Sequence, residues 1–383
     1  MKKCFYVLFT VLLAVTVFIG CNSKEGSADV IKIGIFEPMT GANAAGGAME
    51  VEGIRLANEL FPTVMVGDKE YKVELVLVDN KSDKVEAANA VERLINSDKV
   101  QVILGSWGSS LSMAGGEIAK DAGIPCIGLS CTNPLVTAGN SFYFRVCFID
   151  PFQGVVMSSY AYNDLNARTA VIVQEVSNDY SVGLAKFFSD NFKKLAGNSS
   201  AILATVNYNT GDQDFSAQLT TIRSLNPDVI FAPGNYTESA LVIKQARELG
   251  ITIPIIGGDT WETPEFIDVG KEQVEGAVFS TFPTEFGGSP EAEIFLSEYT
   301  KRYNREPAAV TALGYDGYLV ALDAISRAGS IDPAKIRDAI AVTSGFVGVT
   351  GITTLDENGD TAKSAFIKAV EGGKFVYKTT INP

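Results

Sequence analysis

Five short stretches of this chain carry residue types suited to gripping a small polar molecule. Gly105-Ser106-Trp107-Gly108-Ser109-Ser110-Leu111 links an apolar run to a helix-like segment. Glycine permits unusual backbone geometry, serine offers a hydroxyl, and the first N–H groups of a helix are unpaired and partly positive. Such a combination binds an anion, for example a carboxylate, without lysine or arginine. N-capping by Ser109 or Ser110 is the structural alternative, and the two roles are compatible. Leu129-Ser130-Cys131-Thr132-Asn133-Pro134 ends the next apolar run on a polar turn. There the hydroxyls of Ser130 and Thr132 would face the same place, unless the turn is a plain exit from a strand. Asn178-Asp179-Tyr180, Gly234-Asn235-Tyr236-Thr237 and Gly257-Gly258-Asp259-Thr260-Trp261 each follow a further apolar run. Tyr180, Tyr236, Asp259 and Trp261 would converge on one rim and could close over an organic cation. Tyr and Trp also cap sheet edges, and Asp often starts helices.

The chain contains no histidine. A Ser-His-Asp triad, a Cys-His pair, an imidazole acid or base and a His metal ligand are therefore excluded, and an enzyme is not expected. Gly46-Gly47 with Gly41 does not fit GxGxxG, and no Walker lysine follows a glycine-rich turn, so no nucleotide cofactor is expected. Asp356-Glu357-Asn358-Gly359-Asp360 lacks the spacing of a calcium loop and reads as a hairpin turn. Cys126, Cys131 and Cys147 are too few and too irregular for a zinc site or a disulfide framework. Buried free thiols are the plain reading, with a Cys126–Cys131 bridge as the alternative.

The elements that must position these residues alternate. Strand-like runs at 30–36, 73–79 and 102–105 are separated by helix-like segments at 47–60, 84–95 and 111–122. The rhythm restarts after 142–146, with strands at 170–173, 202–206, 228–232 and 253–256 and helices between them. This predicts two sequential doubly wound α/β units, each with a parallel sheet buried on both faces. Helices at 290–303, 310–328 and 333–341 and a terminal hairpin turning at 357–360 need a sheet to pack on, and are expected to return to the first unit. Two lobes joined by several crossings would form a hinge over a cleft. Ligands of open parallel sheets sit beyond the carboxyl ends of the strands, where all five stretches fall.

The N-terminus opens with Lys2-Lys3 and an apolar run over 5–19, short for a membrane span but suited to a signal peptide. It ends at Phe18-Ile19-Gly20-Cys21, which resembles a bacterial lipobox with Phe18 where leucine is usual. The expectation is a lipoprotein signal peptide over 1–20, lipidation at Cys21, a linker over 21–29, and an exported protein lipid-anchored to a membrane. Loss of 1–20 removes two lysines and no acid, taking the formal net charge from −14 to −16. Such a surface repels nucleic acid and anionic lipid.

Over residues 30–378 the chain resembles the branched-chain (leucine/isoleucine/valine) amino-acid binding proteins of ABC importers, which have the periplasmic binding protein type I fold. The markers are Ile33-Gly34-Ile35-Phe36-Glu37-Pro38-Met39-Thr40-Gly41, the 105–110 turn, Gln213-Asp214-Phe215-Ser216 leading into Asn226-Pro227-Asp228-Val229-Ile230, and Gly348-Val349-Thr350-Gly351 ahead of 356–360. The resemblance implies lobe one over 30–148 plus 282–347, lobe two over 149–281 plus 348–383, and a three-crossing hinge. It implies that Ser109 holds a ligand carboxylate and that Ser130 and Thr132 contribute polar contacts. By the same resemblance Tyr180 and Tyr236 close over the ligand, and Asp259 pairs with its α-ammonium. Trp107 and Ser110 complete the expected site. The sequence departs from the family at Asp259, where leucine binders have Glu, near Gly46, where they place an aromatic, and at Trp107, where they have a smaller residue. Leucine specificity is therefore not carried over. The expectation is a monomeric receptor that delivers a small amino acid to an ABC permease by hinge closure. The alternative is a receptor for a related amide or carboxylate feeding a membrane sensor, which the absence of an output domain disfavours.

Overall fold

The computed structural model describes residues 29–284 and 289–383 and shows two large sheets and a two-stranded one, the central strands of the large sheets being short, apolar and buried on both faces. The first unit runs β1 (Val30–Glu37), α1 (Ala44–Leu60), β2 (Thr63–Val66), β3 (Lys69–Asp79), α2 (Lys84–Arg93), β4 (Val102–Leu104), α3 (Ser109–Ala122), β5 (Cys126–Gly128) and β6 (Tyr143–Arg145). Its strand order is β2-β3-β1-β4-β5-β6, all parallel except β2 against β3. The β2–β3 hairpin is absent from the sequence expectation, because the charged start of β3 (Lys69, Glu70, Lys72) hides its alternation.

The second unit runs α4 (Asp150–Asn163), β7 (Ala170–Glu175), α5 (Asp179–Ala196), β8 (Ile202–Tyr208), α6 (Ser216–Leu225), β9 (Val229–Phe231), α7 (Tyr236–Glu248), β10 (Ile255–Gly257), α8 (Pro264–Gly270) and β11 (Val278–Thr281). Next come α9 (Pro290–Tyr303), α10 (Ala309–Ala328), α11 (Pro333–Ala341), a small hairpin β12 (Phe346–Gly348) and β13 (Gly351–Thr353), then β14 (Ala365–Glu371) and β15 (Lys374–Ile381). The second sheet has the order β15-β14-β11-β10-β9-β7-β8, with β14 and β15 antiparallel. In both sheets the order reverses beside the first strand of the unit, between β1 and β4 and between β7 and β9. Crevices open outside the carboxyl ends at such points.

The late helices return to the first sheet. α10 is buried on nearly every side, as its continuous apolar and small residues require, and packs on α1. α9 is tied to α1 by Tyr299 donating to Glu52 (2.6 Å), and Arg305, in the turn after α9, pairs with the same carboxylate (2.6 Å). Residues 348–363, expected with the second lobe, instead bond to the first. The Val349 and Thr350 N–H groups donate to Asp316 (2.7 and 2.9 Å), the Arg145 N–H donates to Gly359 O (3.0 Å), and Asp360 pairs with Arg145 (2.7 Å). The 357–360 turn closes on a single Leu355–Thr361 bridge, whereas the terminal hairpin turns at Gly372-Gly373. Glycines with positive φ at that tip (59° and 69°) are the signal the earlier Asn-Gly dipeptide outcompeted. The chain thus passes between the sheets three times: after Arg145, after Thr281 and before Ala365.

Arg145 is wholly buried and braces the turn after β5. Its guanidinium donates to the carbonyls of Cys131 (2.6 Å) and Asn133 (2.9 Å) and to the Thr137 hydroxyl (2.7 Å). Cys126, Cys131 and Cys147 are buried free thiols. Among the described residues no helix is long and apolar enough to cross a membrane, and no cluster of acidic or cysteine side chains could hold a metal ion. The leader and Cys21 lie outside the described residues.

Candidate ligand-binding site

One cavity of about 90 Å³ lies between the carboxyl ends of the two sheets. That is well above the roughly 10–15 Å³ needed to admit a single water, and suits one small solute. Its first wall is the start of α3. Gly108 is the N-cap of this 14-residue helix and gives no side-chain cap, so neither Ser109 nor Ser110 acts as the capping residue. Ser109, Ser110 and Ser130 line the cavity beside the positive end of this helix, where the Leu111 N–H already donates to Gly108 O (3.1 Å). The turn that delivers them depends on Gly105, at φ +117°, where a Cβ would lie 2.5 Å from Glu37 Oε1. The Glu37 carboxylate in turn accepts the Trp107 N–H (2.7 Å) and fixes the loop.

The second wall comes from loops after β7, β9 and β10. Asp259 opens a 3-10 turn after β10, and its Oδ1 accepts from Gln153 Nε2 (2.7 Å) and the Tyr180 hydroxyl (2.9 Å). Burial raises its carboxyl from 3.8 to about 6, although those two donors pull the other way. Asp259 and Glu175 are the two acidic residues lining the cavity, and a cation beside Asp259 would offset its desolvation. Behind the first wall, burial also pushes Glu37 well up and Glu50 to about 7, with Ser130 and Glu37 as the polar neighbours of Glu50.

The lobes touch across this cleft. Asp179 at the start of α5 accepts from Ser110 Oγ (2.8 Å) and Lys84 Nζ (2.7 Å), and its own N–H donates to Ser110 (3.0 Å). Asn133 Nδ2 donates to Asp179 O (2.7 Å). The Tyr236 hydroxyl donates to Ala42 O (2.7 Å), and Asn235 Nδ2 donates to Asn43 Oδ1 (3.0 Å). Trp107 and Tyr236 meet edge to face with ring centroids 5.9 Å apart.

Of the expected site residues, Trp107, Ser109, Ser110, Ser130, Tyr180 and Asp259 line the cavity together. Tyr236 and Thr132 do not. Tyr236 packs against Trp107 and spends its hydroxyl on the other lobe, while Thr132 is wholly buried beside Asp150. Trp261 also falls outside: it is wholly buried and stacks on Phe266 at 4.8 Å. Sequence reasoning missed Asn43 and Glu175 as lining residues, and Gln153 as a support of Asp259. A buried acid at the carboxyl end of a mainly apolar strand, as Glu37 closes β1 and Glu175 closes β7, is the signal that was available.

The profile of the periplasmic binding protein family matches residues 30–374. An amino acid binding protein of Pseudomonas aeruginosa is 30% identical over 358 residues, covering 93% of each chain. The leucine-binding protein LivK of Thermotoga maritima superposes with a TM-score of 0.88 at 46% identity, covering 92% of this chain and 99% of that one. LivJ of Streptococcus pneumoniae, a branched-chain amino acid transporter substrate-binding protein in complex with isoleucine, gives 0.85 at 33% identity, over 93% and 100%. A benzoate-bound solute-binding protein of R. palustris shares the fold at 21% identity, with a TM-score of 0.82. All four are named as binding proteins, and the family is one of extracytoplasmic, non-enzymatic solute binders. The chain belongs to the periplasmic binding protein family, among the ABC-transporter substrate-binding proteins that include the Leu/Ile/Val binders.

Proposed function

We propose that this chain captures an α-amino acid zwitterion by closure of two lobes and presents it to an ABC permease. Lobe one comprises 30–148 and 282–363, and lobe two 149–281 and 364–383. The observation that carries the reading is the pairing of opposite signs across one small cavity. An uncapped helix N-terminus with Ser109 and Ser130 belongs to one sheet, and Asp259 to the other. Buried charges need partners, and a zwitterion supplies one to each wall. The relatives support this class of ligand, being named for amino acids, leucine and isoleucine.

In this scheme the carboxylate docks first on lobe one, whose donors are fixed by the Glu37-anchored loop. Lobe two then brings Asp259 onto the ammonium, and Tyr180 holds the carboxylate of Asp259 in place. A micromolar ligand is worth about −8 kcal/mol, enough to bias a hinge when most contacts exist only in the closed form. Lipidation at Cys21 would keep the receptor beside its permease.

Calorimetry with L-amino acids, and with the corresponding deaminated acids, tests the assignment. Binding should require both charged groups, and Asp259→Asn should weaken it by about 100-fold or more, the scale of truncating one partner of a buried charge pair. Unchanged affinity in that variant, or equal binding of the deaminated acid, would remove the ammonium role. Retention in the membrane fraction, lost on Cys21→Ser, tests the anchor.

A further inference from the structure

The side-chain end of the cavity has its own chemistry. Trp107 lies flat against α1 at Gly46, where a Cβ would come within 2.4–2.6 Å of the indole atoms Cε2, Nε1 and Cδ2. Its other edge meets the Tyr236 ring, which is pinned to Ala42 by its hydroxyl. The indole thus fills the space between α1 and the second lobe. Past Trp107, Ala42 and Leu111, the remaining lining is polar: Asn43, Ser82, Ser177, Asn178, Thr210 and Asn235. Glu175 sits among them, accepting from Asn178 Nδ2 (3.0 Å) and the Asn235 N–H (3.4 Å).

We propose that Trp107 selects the ligand side chain, occupying the room a branched aliphatic group would need and leaving a polar recess for a short hydroxyl or carboxamide side chain. This rests on the zwitterion reading above. A branched hydrocarbon in that recess would strip water from amides and hydroxyls and return nothing, which is how a hydrogen-bonding site rejects an apolar analogue. An acidic side chain would face Glu175. A cationic one would add a second positive charge to a cavity that Lys84 already lines.

The test is calorimetry of the mature chain against L-Ser, Thr, Asn, Gln, Leu, Ile, Val, Asp, Glu, Lys and Arg. At least one of the hydroxyl or carboxamide amino acids should bind ten-fold or more tightly than the best of Leu, Ile and Val. Trp107→Leu should narrow or invert that ratio by admitting the aliphatic ligands. Trp107→Phe is the milder variant if the first does not fold. The chain has two tryptophans, and Trp261 is sealed in the second lobe, so ligand-induced fluorescence change should vanish in either variant. If Leu, Ile, Val or a charged amino acid binds most tightly, the selectivity assignment is overturned and the zwitterion reading stands. If the ranking survives Trp107→Leu, the role of Trp107 is overturned. If no α-amino acid binds, both readings fall.

Discussion

A carboxyl group at Asp259 with its pKa near 6 has a measurable consequence for binding. The group is raised from 3.8 because burial penalises its charged form. A ligand ammonium favours that charged form, so the bound-state pKa lies lower and binding must expel a proton whenever the free site is protonated. Affinity should then be flat above about pH 7. It should fall by up to about ten-fold per unit below about pH 6, because one pKa unit is about 1.4 kcal/mol. Titration calorimetry between pH 5 and 8 measures this, and the Asp259→Asn variant should lose the dependence. The same sign governs stability of the ligand-free chain. A raised carboxyl contributes stability that is fully present below its unfolded value and is lost as pH rises through the folded one, so Asp259 and Glu50 both favour the ligand-free fold on the acid side of pH 6–7. The family resemblance implies the pairing of Asp259 with an α-ammonium, and its place on a rim that could close over an organic cation was visible in the sequence. Its support by Gln153, 106 positions away, was not, since nothing local in α4 marks that glutamine as polar core.

At the scale of elements, the starts of α3 and α5 are clasped across the cleft through Ser110 and Asp179. Burial alone would raise Asp179, but its bonds to Lys84 and Ser110 outweigh that and hold it below its usual value. The pair is half exposed (52% and 43%), so its worth is modest, about 1 kcal/mol or less. Asp179→Ala should therefore raise the ligand off-rate by up to about five-fold with little change in on-rate. Stopped-flow fluorescence reads both, and an unaltered off-rate would show that the clasp does not gate release. The element pattern itself was largely legible. The βαβ rhythm of apolar runs predicted the helices at 290–303 and 333–341 to the residue, because each ends in plain punctuation: Ser289-Pro290 and Asp332-Pro333 at the starts, Asn304 after the first. Where the code was ambiguous the reading slipped. Asn358-Gly359 signals a hairpin more strongly than Gly372-Gly373, yet the sheet strands flank the second pair, since only there do alternating residues on both sides have a partner strand to join. The fate of 348–363 depended on Asp316 and Arg145, two buried charges whose partners are far off in sequence.

For the whole molecule, three passages between two sheets mean that the lobes can rotate without either core being rebuilt, because each sheet completes its own strand ladder. The radius of gyration should therefore fall on addition of a saturating ligand, around an expected value of about 20 Å for a chain of this length. Small-angle scattering with and without ligand measures the change. An identical profile in both states would mean that the cleft does not open. The meeting of Trp107 and Gly46 reaches further than the present ligand, because it puts the two positions in a fixed order of change. Any side chain at 46 is barred while the indole is present, so a lineage must shorten Trp107 first. That step leaves a hole typically costing about 3–5 kcal/mol before residue 46 can grow into it. A shift of diet in such a receptor is a two-step path through a weakened intermediate, and its direction is written into one pair of touching residues.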